Sequence, residues 1–149
     1  MRLKVQLFDN WKWRQDVPGP TAFERQDSTS AFQVSWAEYR GDKPYRPLDE
    51  EGMRQFAVKF GRDFGELVES SSGTCSFGIY GTEIFRSASH PRSQVWILTN
   101  SRDHILATHI CSVAPSAQEV AEVQVIARSL ALGPEQPPNT ALEPTPTAP

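Results

Sequence analysis

The chain has 149 residues, and its 15 Lys and Arg against 18 Asp and Glu leave a net charge of −3. No basic run is present to neutralise phosphates, so the composition argues against nucleic acid and against an anionic membrane surface as partners. Two cysteines, Cys75 and Cys111, are too few for a disulfide framework or a structural zinc site, and no metal or cofactor is expected.

Met1 to Trp13 interleaves Arg2, Lys4 and Gln6 with Leu3, Val5 and Leu7. That pattern is neither a signal peptide nor a membrane span, so the expected location is the cytoplasm. Within it Arg2 to Phe8 alternates as a strand. The following segment, Trp11-Lys12-Trp13-Arg14, precedes the turn Val17-Pro18-Gly19-Pro20 and reads as a loop carrying two indoles and two cations. Trp and Arg are the residue types that anchor protein interfaces, which makes these four the candidate binding residues. The structural alternative is that one indole closes the end of a core while the other is partly exposed.

Thr21 to Gln26 predicts a short strand, and Ala31 to Tyr39 a longer one with Phe32, Val34 and Trp36 on one face. Beyond Pro44 and Pro47 the period changes to that of a helix. Asp49 is placed to cap it, and Met53, Phe56, Ala57, Phe60, Phe64, Leu67 and Val68 form one stripe spaced by three and four. Asp49, Glu50 and Glu51 are then explained by the positive end of the helix dipole rather than by acid/base chemistry. Gly52, Gly61 and Gly65 lie inside this stretch, which predicts either close packing or a break there.

Four strands follow: Thr74 to Tyr80, Thr82 to Ser87, Ser93 to Thr99 and His104 to Val113. Their short separators predict an antiparallel meander. Val95 to Leu98 and Ile105 to Cys111 are apolar on both faces, as expected of strands covered on both sides. Ser116-Ala117-Gln118-Glu119 is a capping box, and Val120, Val123, Ala127 and Leu130 give the helix it opens an inward stripe, stopped by Gly133 and Pro134. Residues 1 to 132 are thus expected to form a single α+β domain. Residues 133 to 149 hold half of the 12 prolines and read as a disordered tail.

The expected architecture is a mostly antiparallel sheet of about six to seven strands between two helices. The strand Ala31 to Tyr39, the helix Asp49 to Val68, the run Gln94-Val95-Trp96-Ile97-Leu98, the strand Ile105 to Cys111 and the stripe Val120 to Leu130 together resemble the PsbP-like fold. That α/β/α sandwich is shared by a photosystem II extrinsic protein, a nuclear import factor that binds the GTPase Ran, and bacterial DcrB-like proteins. The resemblance is one of element order and implies a non-enzymatic module that binds another protein. No functional residue transfers with it.

Chemistry is sparse. His109 and Cys111 stand two apart and share a strand face, and with Cys75 on a neighbouring strand they form the candidate metal, small-ligand or thiol site. About 6.5–7 Å of backbone separates residues two apart on a strand, which argues against direct contact. Gly73 to Gly78 has glycines at phosphate-loop spacing but lacks the lysine that would meet the charge, and no serine occupies a nucleophile elbow. The reading that emerges is a small non-enzymatic protein-binding module, an adaptor or an immunity-type partner in a bacterium. The alternative is an enzyme or ligand-binding protein built on Cys75, His109 and Cys111.

Overall fold

The computed structural model describes residues 2–14, 20–38, 41, 49–134 and 145–146. In chain order these form β1 (Arg2–Lys4), β2 (Gln6–Leu7), β3 (Trp11–Arg14), β4 (Thr21–Arg25), β5 (Ala31–Ala37), α1 (Glu50–Gly61), a 3-10 turn (Arg62–Phe64), β6 (Glu66–Thr74), β7 (Ile79–Arg86), β8 (Arg92–Thr99), β9 (His104–Cys111), α2 (Ala117–Ser129), β10 (Ala131–Gly133) and β11 (Thr145–Pro146). Seven of the strands make one antiparallel sheet in the order β3-β4-β5-β9-β8-β7-β6. The meander β6 to β9 is as expected from its short connections, and β5 extends it by pairing with β9 along seven residues.

The sheet is the middle of three layers. On one face Phe23, Phe32, Val34, Trp96, Leu98, Ile105 and Ala107 meet Val123, Ile126 and Ala127 of α2 and Leu130 just beyond it, with Leu3, Val5, Leu7 and Phe8 completing the core. On the other face Met53 and Ala57 of α1 meet Phe85, Val95 and Ile97. This is the α/β/α sandwich anticipated from the element order.

Several local readings are corrected. The N-terminal stretch is two short strands outside the main sheet, with β1 antiparallel to β10 and β2 parallel to β11. Of the Pro-rich tail beyond Pro134, the described residues are Thr145–Pro146, beside Gln6–Leu7. Trp11 to Arg14 is an edge strand and not a loop, because its alternation of indole and cation is itself a two-residue period that pairs with β4. Thr74 to Tyr80 and Thr82 to Ser87 are not two strands split at Gly81. Residues 75 to 78 are the turn, and β7 runs straight through Gly81.

The first helix is shorter than its stripe suggested. Asp49 caps it, with its carboxylate accepting from the Gly52 amide at 2.7 Å. The helix ends at Gly61, and Gly65 has φ +122°, a conformation that L side chains rarely adopt, so the chain turns there into β6 and carries Leu67 and Val68 into a strand. Phe56 and Phe60, assigned to the buried stripe, are 50% and 42% exposed. The buried positions are Met53, Ala57 and Gly61.

Glycine explains how close α1 lies. A Cβ on Gly81 would stand 2.8 Å from the Arg54 amide nitrogen and the Met53 carbonyl carbon, so the α1 backbone rests directly on β7 at this point. Gly61 makes the matching approach to the Phe85 ring. Gly81→Ala is therefore expected to cost about 1–3 kcal/mol by forcing α1 off the sheet. Gly73→Ala, whose Cβ meets only the flexible Tyr80 ring at 3.1 Å or more, should cost less. Urea unfolding of the two variants checks the order.

Candidate functional site

The chemistry-bearing groups gather where the N-terminal half of α2 lies on β9 and the β4–β5 turn. Ser116 caps α2, its hydroxyl accepting from the Glu119 amide at 3.1 Å. The other half of the capping box is not made. The Glu119 carboxylate turns inward, where Oε2 lies 2.8 Å from His109 Nε2 and accepts a short hydrogen bond from the Ser30 hydroxyl. His109 and Cys111 share the α2 side of β9, as their spacing predicts, and they touch. Cys111 Sγ is 3.6 Å from both ring nitrogens, because the pleat tilts the two side chains together. The backbone separation that argued against contact is bridged by the side chains.

Cys75 does not join them. It lies in the β6–β7 turn, beside the Thr99 and His104 end of the sheet, whereas Cys111 pairs in register with Arg92 at the opposite end. The third donor is Glu119, and His109, Cys111 and Glu119 bring one ligand atom each within 4.8 Å of one another. The sequence signal for Glu119 was present: with Glu122 it falls on the inward stripe that continues through Val123, Ile126 and Leu130. The capping-box reading had accounted for it otherwise.

The electrostatics of this cluster follow from its burial and its internal hydrogen bonds. Burial pushes His109 down, against its bond to Glu119, so the imidazole is neutral at pH 7 and donates its Nε2 proton to the carboxylate. Burial raises Glu119, but hydrogen bonds from Ser30, His109 and Ser28 outweigh it and hold the group below the usual carboxylate range. Burial and the Glu119 charge push the Cys111 thiol up to about 11, so the nucleophilic thiolate is not formed at neutral pH. Ser30 and Glu119 both address Nε2 of His109, whereas a nucleophile–base–acid relay needs them on opposite ring nitrogens. The three donors are close enough to one another to share a metal ion, although Arg92 adds a positive charge close by.

A second buried carboxylate, Glu122, holds the edge of the sheet. It accepts from Arg25 Nε at 2.7 Å, from the Trp11 indole at 3.2 Å and from Asn10 Nδ2 at 3.3 Å. Burial raises this group too, and the bonds from Arg25, Trp11 and Asn10 bring it below the ordinary range. Trp11 is accordingly 5% exposed, edge-on to Phe32, and is part of the core. Trp13 is half-buried edge-on to Phe23. Lys12 and Arg14 point to the opposite face and are exposed, with Arg14 3.1 Å from Glu24.

An accessible apolar feature is a groove on the α1 side. The helix covers β6, β7 and β8, and beside it Phe56 and Phe60 face Ser35, Ala37, Ile97, Leu106 and His104 across about 360 Å³. Burial pushes His104 down, with Asp103 opposing, which leaves a neutral imidazole in an otherwise apolar wall. β9 was expected to be covered on both faces. Its α2 side is, but Leu106, Thr108 and Ile110 on the other side are only half-buried.

No family model matches the chain, and no curated protein matches it in sequence. Its fold has solved counterparts. The solution structure of cyanobacterial PsbP (CyanoP) from Synechocystis sp. PCC 6803 superposes with a TM-score of 0.52 at 14% identity, over 88% of this chain and 92% of that one. A crystal structure from Bacteroides thetaiotaomicron gives 0.52 at 18% identity, over 89% of this chain and 46% of that one. At these identities the likeness is one of fold, and the fold is PsbP-like.

Two predictions test the polar seam. Trp11→Ala removes a buried indole and one of the Glu122 bonds, and should cost about 3–5 kcal/mol in urea unfolding, whereas Lys12→Ala should leave stability unchanged. The pH dependence has a definite sign. The His109 pKa lies lower in the native state than in the unfolded chain, so its contribution is present above pH 6.5 and is lost as pH falls below that. Glu119 and Glu122 contribute above pH 4.5 and lose their share as pH falls through their depressed native values. Melting temperature should thus fall on acidification in two stages. Glu119→Gln should destabilise the fold at pH 7 by on the order of 2 kcal/mol and shrink the second stage.

Proposed function

We propose that the chain is a non-catalytic protein-binding module, an adaptor or immunity-type partner of another bacterial protein, and that the groove beside α1 is its docking surface. The observation that carries this reading is the pair Phe56 and Phe60, 50% and 42% exposed, forming one bank of an apolar groove of about 360 Å³ over the α1-side face of β5 and β9. Large aromatic side chains left in water beside an apolar floor are what a partner buries. The polar cluster does not compete for the role, since its His, Cys and Glu are enclosed and bonded to one another.

Lys12 and Arg14 stand on the same sheet face as the groove, since the pairings run Arg14, Ala22, Gln33, Thr108 and Val95 across it. They would border a partner that reaches past β5. Trp11 belongs to the core, and Trp13 packs from the other face, so the cations and not the indoles are the part of that segment this surface can use. Cys75 and Cys111 are both free and lie at opposite ends of the sheet, which suits a reducing compartment such as the cytoplasm. Among the described residues no helix is long and apolar enough to cross a membrane.

The test is affinity capture from the native lysate with the intact chain and a Phe56→Ser/Phe60→Ser double variant in parallel. A stoichiometric partner whose recovery drops at least tenfold with the variant, at matched circular dichroism and melting temperature, is the expected result. Two lost anchors of about 2 kcal/mol each would produce that drop. Equal recovery by both proteins would move the docking surface elsewhere, and absence of any partner would sink the reading.

A further inference from the structure

The cluster under the N-terminal half of α2 holds the chemistry that the docking groove lacks. His109 and Cys111 come from β9 and Glu119 from α2, and one donor atom from each lies within 4.8 Å of the others. All three residues are buried, the imidazole completely. Enclosure denies them a substrate, but a metal ion that serves the fold is held in closed sites of this kind.

The donor types select the ion. An imidazole nitrogen, a sulfur and a carboxylate oxygen are ligands of zinc, whereas calcium and magnesium take oxygen alone. The distances agree with that choice. With zinc–sulfur bonds of about 2.3 Å and zinc–nitrogen bonds of about 2.0–2.1 Å, a tetrahedral site sets sulfur and nitrogen about 3.5 Å apart. Cys111 Sγ is 3.6 Å from His109 Nε2. In the same site an imidazole nitrogen and a carboxylate oxygen stand about 3.3 Å apart, so Glu119 Oε2, now 2.8 Å from Nε2, retreats by about 0.5 Å to admit the ion.

We propose that His109 Nε2, Cys111 Sγ and a Glu119 carboxylate oxygen bind one zinc ion, which replaces the hydrogen bond between imidazole and carboxylate and clamps the start of α2 onto β9. Protons are conserved: the thiol proton leaves to solvent as the zinc–sulfur bond forms, and the imidazole, bound through Nε2, keeps its single proton on Nδ1. Thiolate and carboxylate together neutralise the dication, so Arg92, whose charge acts on both Cys111 and His109, does not oppose an unbalanced charge.

The fourth position lies towards Ser30, whose hydroxyl is 3.1 Å from Nε2 and also bonded to Glu119. Beside it is a polar cleft of about 190 Å³ lined by Asp27, Ser28, Ser30, Ser116 and Glu119. Residues 27–30 and 113–116, all among the described residues, form its rim. Zinc enters by this cleft, and a water from it completes the tetrahedron. The site is independent of the docking surface, which lies on the other face of the sheet.

The experiment uses the full chain, stripped of metal by a chelator, as wild type and as Cys75→Ser, which leaves Cys111 the only thiol. Cobalt(II) chloride is the optical probe and zinc chloride the competitor. Each is added both to the folded chain and during refolding from urea, so that slow entry into a buried site is not mistaken for failure to bind. One cobalt per chain is expected, with the visible bands of a tetrahedral site and a thiolate-to-cobalt charge-transfer band, equal in the two proteins and abolished by one equivalent of zinc. Zinc at about 100 times its Kd should raise the melting temperature by about 5–10 °C. At wild-type circular dichroism, Cys111→Ser should remove the charge-transfer band and Glu119→Gln should weaken zinc binding by at least about tenfold. Should either variant fail to fold, the Cys75→Ser spectrum decides. Failure of cobalt to bind, binding without the charge-transfer band, loss of that band in Cys75→Ser, or zinc binding unchanged by Cys111→Ser and Glu119→Gln would each overturn the proposal.

Discussion

The arrangement depends on two carboxylates buried under α2. Glu119 is bonded to His109 and Ser30, and Glu122 to Arg25, Trp11 and Asn10. A buried carboxylate without partners would cost more than the helix gains from burial, so each fixes the groups around it. Through Glu119 the helix is tied to the centre of the sheet and to the β4–β5 turn. Through Glu122 it is tied to the edge strand β3, which is four residues long and, among the described residues, pairs with β4 alone. The C-terminal half of α2 is held differently, by Val123, Ile126, Ala127 and Leu130 against the aromatic core. One helix thus combines a directional polar attachment, which sets register, with a non-directional apolar one, which supplies most of the burial.

The two faces of the sheet are unequal for reasons of size and contact distance. On the α2 side, β1, β2 and Phe8 add apolar residues that fill what the helix leaves open. On the α1 side a twelve-residue helix sits so close to β7, through Gly81 and Gly61, that it reaches only the neighbouring strands. A helix is about two strands wide, and a seven-stranded sheet offers room for more than one. The apolar residues of β9 and the aromatic flank of α1 are left facing the same gap. This is where packing ends and recognition becomes possible.

The same logic separates the two candidate sites. His109, Cys111 and Glu119 have the right elements for chemistry, but each spends its reactive capacity on a neighbour: the imidazole proton on the carboxylate, the carboxylate on Ser30 and His109, and the thiol on remaining protonated in a buried place. Reactivity needs an unsatisfied group within reach of substrate, and these are satisfied and enclosed. The groove has the converse character, with little chemistry and much exposed apolar surface.

The helix α2, the strands β5, β8 and β9 and the α/β/α order were legible in the sequence because each is stated by a local period of two or 3.6 and by a cap or turn that bounds it. Periodicity reports which residues share a side. It does not report whether anything covers that side, so Phe56 and Phe60 passed as core, and the apolar second face of β9 passed as buried. Nor does it mark where a helix hands over to a strand when both carry apolar residues, so the stripe runs on through Leu67 and Val68 although Gly65 and the β7 pairing set the break before them. The roles of Glu119 and Trp11 were decided only by tertiary structure. A capping glutamate and an interfacial tryptophan look the same in sequence as a core carboxylate and an indole donor, and the difference lies in partners that only folding brings near, as Ser30 is 89 residues from Glu119 and Glu122 is 111 from Trp11.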